Sequence, residues 1–300
     1  MSGYNVSPMD WMQLSLQTDQ AKADLVSEVL MGLGSVSITY TDTNDNPIYE
    51  PPVGETPLWE NLTINALFEM GVDQQHVGQT LVDLCDTKIL HFEQLVDRVW
   101  EDECKKDFHA MQFGNRIWIC PSWESKADLP DNAIVIDMDP GLAFGTGTHQ
   151  TTDLCLQYLD NNPPIDKSVI DFGSGTGILA IAAAKLGATS VVAIDNDPQA
   201  VLATKDNVVN NQCESIVAIH HSDEDVTLKK CDLLVANILA NPLVELEPIF
   251  ADLVKEGGGI VLSGILDEQL EIIIEAYQVH FESLEVQQKN EWCRISGIKK

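Results

Sequence analysis

Three hundred residues with 44% hydrophobic content supply enough apolar side chain for a proper core and, on the usual size prior, about two domains. The net charge of −30 is spread over both halves, with 15 acidic and 3 basic side chains in residues 1–99, a field that opposes nucleic-acid phosphates and favours a basic protein partner. No run reaches membrane-span length, the N-terminus lacks a signal-peptide pattern and the seven cysteines form no C-x-x-C pair, so no membrane, reduced thiols and a cytoplasmic location are expected.

Residues 1–97 carry a pattern of their own. Trp11 to Leu16 alternates like a strand, and Gln20 to Leu33 repeats its apolar residues with a helical period. Gly32 and Gly34 close that helix, and Ser35 to Tyr40 alternates again. A polar loop with Pro47, Pro51, Pro52 and Gly54 leads to a strand (Leu62 to Phe68), a helix (Asp73 to Cys85) and a strand (Lys88 to Val96). The order β-α-β-β-α-β predicts a small α+β, ferredoxin-like domain. Residues 98–110 are highly charged and read as a linker helix, and 111–300 as the second domain. Met111 to Cys120 and Ile134 to Met138 read as strands covering one edge of that domain.

From Ser168 onward strands and helices alternate. Strands are expected at 169–172, 190–195, 216–220, 232–236 and 259–263, with helices at 178–187, 198–210, 243–255 and 267–278. Two terminal strands, 281–287 and 291–298, have no helix between them and imply a final antiparallel hairpin. Strands separated by helices give a parallel, doubly wound α/β sheet.

The chemistry gathers at Val169-Ile-Asp-Phe-Gly-Ser-Gly-Thr-Gly177, an apolar strand running into a triple-glycine turn and then an alanine-rich helix. Such a turn lets a ligand approach the backbone and the helix N-terminus. A dinucleotide fingerprint needs its third glycine or alanine at position 178, which is Ile178. The glycines stand instead at Gly173, Gly175 and Gly177, a spacing that suits the smaller S-adenosylmethionine over NAD. Asp195 ends the next strand, placed to accept hydrogen bonds from ribose hydroxyls.

Two further segments fall where a ligand should sit. Asp139 to Thr152 is rich in glycine (141, 145 and 147) and precedes a helix that Thr148, Thr151 and Thr152 are expected to cap, so that its N-terminus can face a carboxylate. Phe144 is a candidate to close over the reacting centre. His149 reads as a base or, more ordinarily, as a capping residue. In the second segment, Asn237 ends the fourth strand of the sheet. Its neutral amide suits an amine acceptor, with the carbonyl accepting from N–H and the NH₂ free to bond elsewhere.

The runs DPGLAFGTGTH (139–149), VIDFGSGTGILAIAAAKLGA (169–188), DPQAVLATKDN (197–207), VANILA (235–240), LSGIL (262–266) and EWCRISG (291–297) closely resemble the bacterial PrmA family, methyltransferases of large-subunit ribosomal protein number eleven. The resemblance implies a class I S-adenosylmethionine-dependent methyltransferase (Rossmann-like) domain behind a ferredoxin-like substrate-recognition domain. It implies methylation of lysine side-chain and N-terminal amines of the ribosomal protein. Matched position by position, Thr152, Gly173, Asp195 and Asn237 are the implied cofactor contacts, Gly175 and Gly177 complete the turn, and Asn237 is the implied catalytic residue. No metal is implied. Ser174 stands where relatives often have cysteine, a change at a turn whose backbone makes the contact. The competing readings are a small-molecule or other-protein N-methyltransferase, and a non-catalytic ribosome-assembly factor.

Overall fold

Strict alternation in β1 (Trp11–Asp19) and in β3 (Asn61–Glu69) puts Leu14, Leu16, Leu62, Ile64 and Ala66 on one face of a sheet, all with no exposed surface. The computed structural model describes residues 11–44, 57–85, 87–95, 108–139 and 149–300. The chain divides into two compact units, Met1–Trp100 and Glu101–Lys300. Among the described residues no helix is long and apolar enough to cross a membrane.

In the first unit β2 (Ser37–Asp42) and β4 (Lys88–Leu95) complete a four-stranded antiparallel sheet of order β2-β3-β1-β4. Its buried face is covered by α1 (Ala23–Gly32) and α2 (Gln74–Cys85), through Val26, Leu30, Val77 and Leu81. Each such fully buried aliphatic side chain contributes about 1.5–3 kcal/mol. This is the split βαβ arrangement that the element order implies. The helix expected from Gln20 opens as a 3₁₀ turn, because the Asp19 carboxylate accepts from Lys22 N–H (3.0 Å) and holds the first three residues tight. Strand β2 starts two residues late because Ser35 closes α1: its N–H donates to Leu30 C=O and its hydroxyl to Leu67 C=O.

The second unit departs from expectation at its start. Residues 108–110 are not helical, the remainder of the expected linker helix lies outside the described residues, and Phe108 packs edge-on to Trp123 in the second unit's core. Met111 to Cys120 is a hairpin of β5 (Met111–Phe113) and β6 (Ile117–Cys120), not one strand. The turn needs Gly114, whose φ is +60° and whose missing Cβ would stand 2.6 Å from Asp160 Oδ2. The buried Asp160, near the end of α3 (Gln150–Asn161), accepts from Asn115 N–H (2.6 Å) and from Arg116 Nε (2.8 Å). With β7 (Ile134–Asp137) the hairpin forms a separate three-stranded sheet rather than extending an edge of the large one.

The large sheet contains β8 (Ser168–Phe172), β9 (Ser190–Asp195), β10 (Val217–His221), β11 (Cys231–Asn237), β12 (Val254–Leu266), β13 (Phe281–Lys289) and β14 (Trp292–Lys299). Their order is β10-β9-β8-β11-β12-β14-β13, the first five parallel and β14 antiparallel to both neighbours, giving the expected final hairpin. The connecting helices are α4 (Ile178–Lys185), α5 (Pro198–Asn210), α6 (Ala240–Leu253) and α7 (Leu270–Tyr277). Every residue of α4 from Ile178 to Ala184 is buried, and the alanines allow close approach to the sheet. Helix α6 starts three residues before the expected Leu243, since Pro242 fits a first turn where its missing N–H has no helical partner to lose. Strand order reverses between β8 and β11, so the crevice at their carboxyl ends is the natural ligand site.

Candidate active site

At the end of β8 the chain turns through Gly173, Gly175 and Gly177, with φ of 77°, 56° and 79°. That left-handed region is strained for any residue with a Cβ. Space as well as conformation demands glycine at two of the three. A Cβ on Gly173 would lie 2.2 Å from Ile238 Cγ2, and one on Gly177 would lie 2.8 Å from Thr204 Cγ2. At Gly173 and Gly177 the space a Cβ would take is therefore occupied by Ile238 and Thr204. Helix α5 clasps the turn, with Thr204 Oγ1 donating to Gly175 C=O (3.0 Å) and Asn207 Nδ2 to Thr176 C=O (2.9 Å).

Asp195 closes β9 beside this turn. Its Oδ2 accepts from Gly175 N–H (2.8 Å) and its Oδ1 from Asp197 N–H (3.0 Å). Each carboxylate oxygen has a second lone pair, so the side chain is fixed by the backbone and still able to accept. Next to it opens a cavity of about 420 Å³, whose lining includes Phe172, Ile194, Asp195, Ile238, Pro242 and Leu246. Apolar walls with a carboxylate at the margin fit a flat heteroaromatic base attached to a sugar.

Asn237 ends β11. Its Nδ2 donates to Thr152 Oγ1 (3.3 Å) on α3, and Thr152 is fully buried. Asn237 Oδ1 is buried and has no hydrogen-bond partner among the described residues. A buried acceptor left without a donor costs about 1–3 kcal/mol.

The cap of α3 differs from expectation. His149 takes the N-cap, with extended φ and ψ of −78° and 142°, and its Nδ1 accepts from Thr151 N–H (3.4 Å) and pairs with Thr151 Oγ1 (2.7 Å). Thr151 and Thr152 lie inside the first turn, while Thr148 lies outside the described residues, as do Gly141, Phe144, Gly145 and Gly147. The His149 ring meets Trp292 edge-on at 4.8 Å. Burial lowers its pKa below 6.5, against an opposing pull from Glu291.

Sequence reasoning passed over Asp171, on β8 two residues before the turn. It is 1% exposed, Oδ2 accepts from Ala180 N–H (2.9 Å), and Oδ1 is buried without a partner among the described residues. Burial, with the neighbouring charge of Asp195 adding, pushes this carboxyl up to about 7. The signal was a lone acid inside an otherwise apolar strand. Thr204 and Asn207 were missed because their contacts with the turn span some thirty residues of sequence.

Comparison with known proteins agrees across nearly the whole chain. The profile of the ribosomal protein L11 methyltransferase (PrmA) family matches residues 10–300. A ribosomal protein L11 methyltransferase of Enterobacter sp. (strain 638) is 49% identical over 296 residues, covering 97% of this chain and 100% of the relative. One from Mannheimia succiniciproducens is 47% identical over 293 residues, covering 96% and 99%. The crystal structure of a ribosomal protein L11 methylase from Lactobacillus delbrueckii subsp. bulgaricus superposes with a TM-score of 0.58 at 34% identity, covering 64% of this chain and all of that one.

Proposed function

The chain belongs to the PrmA family of ribosomal protein L11 methyltransferases, and from that premise we propose that it transfers the methyl group of S-adenosylmethionine to lysine side-chain and N-terminal amines of ribosomal protein L11. It is a methyltransferase with a class I Rossmann-like fold. The observation that carries the reading is the buried, unbonded Oδ1 of Asn237 at the carboxyl end of β11.

When bound, the cofactor supplies an activated sulfonium methyl group, so little covalent help is asked of the protein. Asp195 would accept from the ribose hydroxyls, and the backbone of the Gly173–Gly177 turn would hold the rest of the cofactor. Asn237 Oδ1 accepts an N–H of the substrate amine and points its lone pair along the line of transfer. Thr152 fixes which way the Asn237 amide faces by taking its NH₂. Such orientation contributes several kcal/mol when reacting atoms are held at about 3–3.5 Å. The amine must be neutral, and burial beside a positive charge favours loss of its proton. His149 Nδ1 is committed to the α3 N-terminus, which argues against its being the base. In this reading the acidic first unit recruits the basic substrate by charge.

Incubation with methyl-labelled S-adenosylmethionine, purified L11 and ribosomal RNA tests the assignment. Label should enter L11 alone; label in RNA, or none in L11 while the cofactor binds, would refute it.

A further inference from the structure

Asp171 has no task in the reaction described above. It occupies the strand that feeds the glycine turn, with one oxygen held by Ala180 N–H of α4 and the other buried without a partner among the described residues. The groups facing it are the Asp195 carboxylate from β9 and the Cys155 thiol from α3, with apolar Val235 opposite in register on β11. The buried Arg294 of β14 acts on the same Cys155 thiol, but the charge acting on Asp171 itself is that of Asp195. An isolated carboxylate in such a place is costly, so without a ligand burial pushes the carboxyl up to about 7 and a large share of it stays protonated at neutral pH. S-adenosylmethionine carries a sulfonium and an ammonium against a single carboxylate and is a net cation. S-adenosylhomocysteine has lost the sulfonium and is neutral overall.

We infer that Asp171 is a charge-responsive carboxyl, which releases its proton when the cationic cofactor enters and regains one after the sulfonium charge has gone, so that the site tells S-adenosylmethionine from S-adenosylhomocysteine by charge. The step is a simple ionisation: the carboxyl O–H breaks, the proton passes to solvent, and the carboxylate stays on β8, two residues before the glycine turn, where its field acts on the cation. Asp171 acts here through its field and needs no contact with the reacting atoms. The inference rests on the S-adenosylmethionine reading above.

Calorimetric titration at pH 7 in two buffers of different ionisation heat counts the protons. Binding of S-adenosylmethionine should release about half a proton, and its affinity should be about tenfold weaker at pH 5.5 than at pH 7. S-adenosylhomocysteine, with the same ammonium and carboxylate, should show a shallower slope. Asp171→Asn keeps an acceptor for Ala180 N–H and should abolish both the release and the extra slope, while the cofactor's own titration stays common to both proteins. If the variant does not fold, the proton count and the difference between the two ligands in the parent protein decide. Tight cofactor binding with no proton release, or equal slopes for the two ligands, overturns this inference alone. Failure of the parent to bind S-adenosylmethionine would overturn the cofactor reading with it.

Discussion

Asn237 and Thr152 are 85 residues apart in sequence, yet the Asn237 amide donates to the Thr152 hydroxyl at 3.3 Å, from a strand end to the first turn of a helix. The contact joins β11 to α3 and occupies the amide NH₂, while Oδ1 stays buried without a hydrogen-bond partner among the described residues. Other features of the site bear on how that geometry is kept.

His149 is a cap before it is anything else. Replacing it with Ala removes the acceptor for Thr151 N–H and should cost about 1 kcal/mol of stability at pH 8. Because burial lowers the folded pKa below the unfolded value of 6.5, the neutral cap stabilises fully above pH 6.5 and is lost as pH falls through the folded pKa. Denaturant melts of parent and His149→Ala at pH 8 and pH 5 should therefore converge at the lower pH. A gap that widens on acidification would contradict the cap.

Asp195→Ala removes a carboxylate that ties Gly175 and Asp197 to the end of β9. Cofactor affinity should fall by about 2–3 kcal/mol, the scale of a charged acceptor lost to paired hydroxyls. Titration of the parent with NAD should give no measurable binding. NAD affinity comparable to that for S-adenosylmethionine would reverse the cofactor assignment.

The turn and Asn237 were legible in the sequence because their signals are local: a strand, a glycine spacing, a strand-ending amide. Asp171 was not, because an acid in an apolar strand looks like a break in the pattern until its surroundings are known. Thr204 and Asn207 read as ordinary helix residues, and only the fold folds α5 back onto the glycine turn. The Gly114 turn was overlooked inside a run that otherwise alternates, and the 3₁₀ opening at Gln20 follows from an Asp19 contact that periodicity does not encode.

Asp171 carries a further consequence for stability. Burial pushes its folded pKa up to about 7, above the ordinary 3.8 of an aspartate, so the folded state keeps a proton that the unfolded chain releases. Its contribution to stability thus declines as pH rises from about 4 to about 7. Ligand-free Asp171→Asn should melt higher than the parent at pH 8, and the difference should vanish toward pH 4. A variant less stable than the parent at pH 8 would show that the carboxylate is compensated after all.

If the acidic first unit recruits substrate, the fragment Glu101–Lys300 should bind S-adenosylmethionine as the full chain does but lose most turnover on L11. Association of L11 with the full chain should weaken as salt rises, since exposed charges are screened over about 10 Å at 0.1 M. Undiminished turnover by the fragment would remove that role.

The most direct measurement is single-turnover methyl transfer to L11 by Asn237→Ala, with cofactor affinity measured on the same preparation. With the amine acceptor gone, turnover should fall by about a hundredfold or more while S-adenosylmethionine still binds and the protein remains folded. Near-parental turnover by the variant would contradict the assignment of Asn237 Oδ1 as the group that orients the amine.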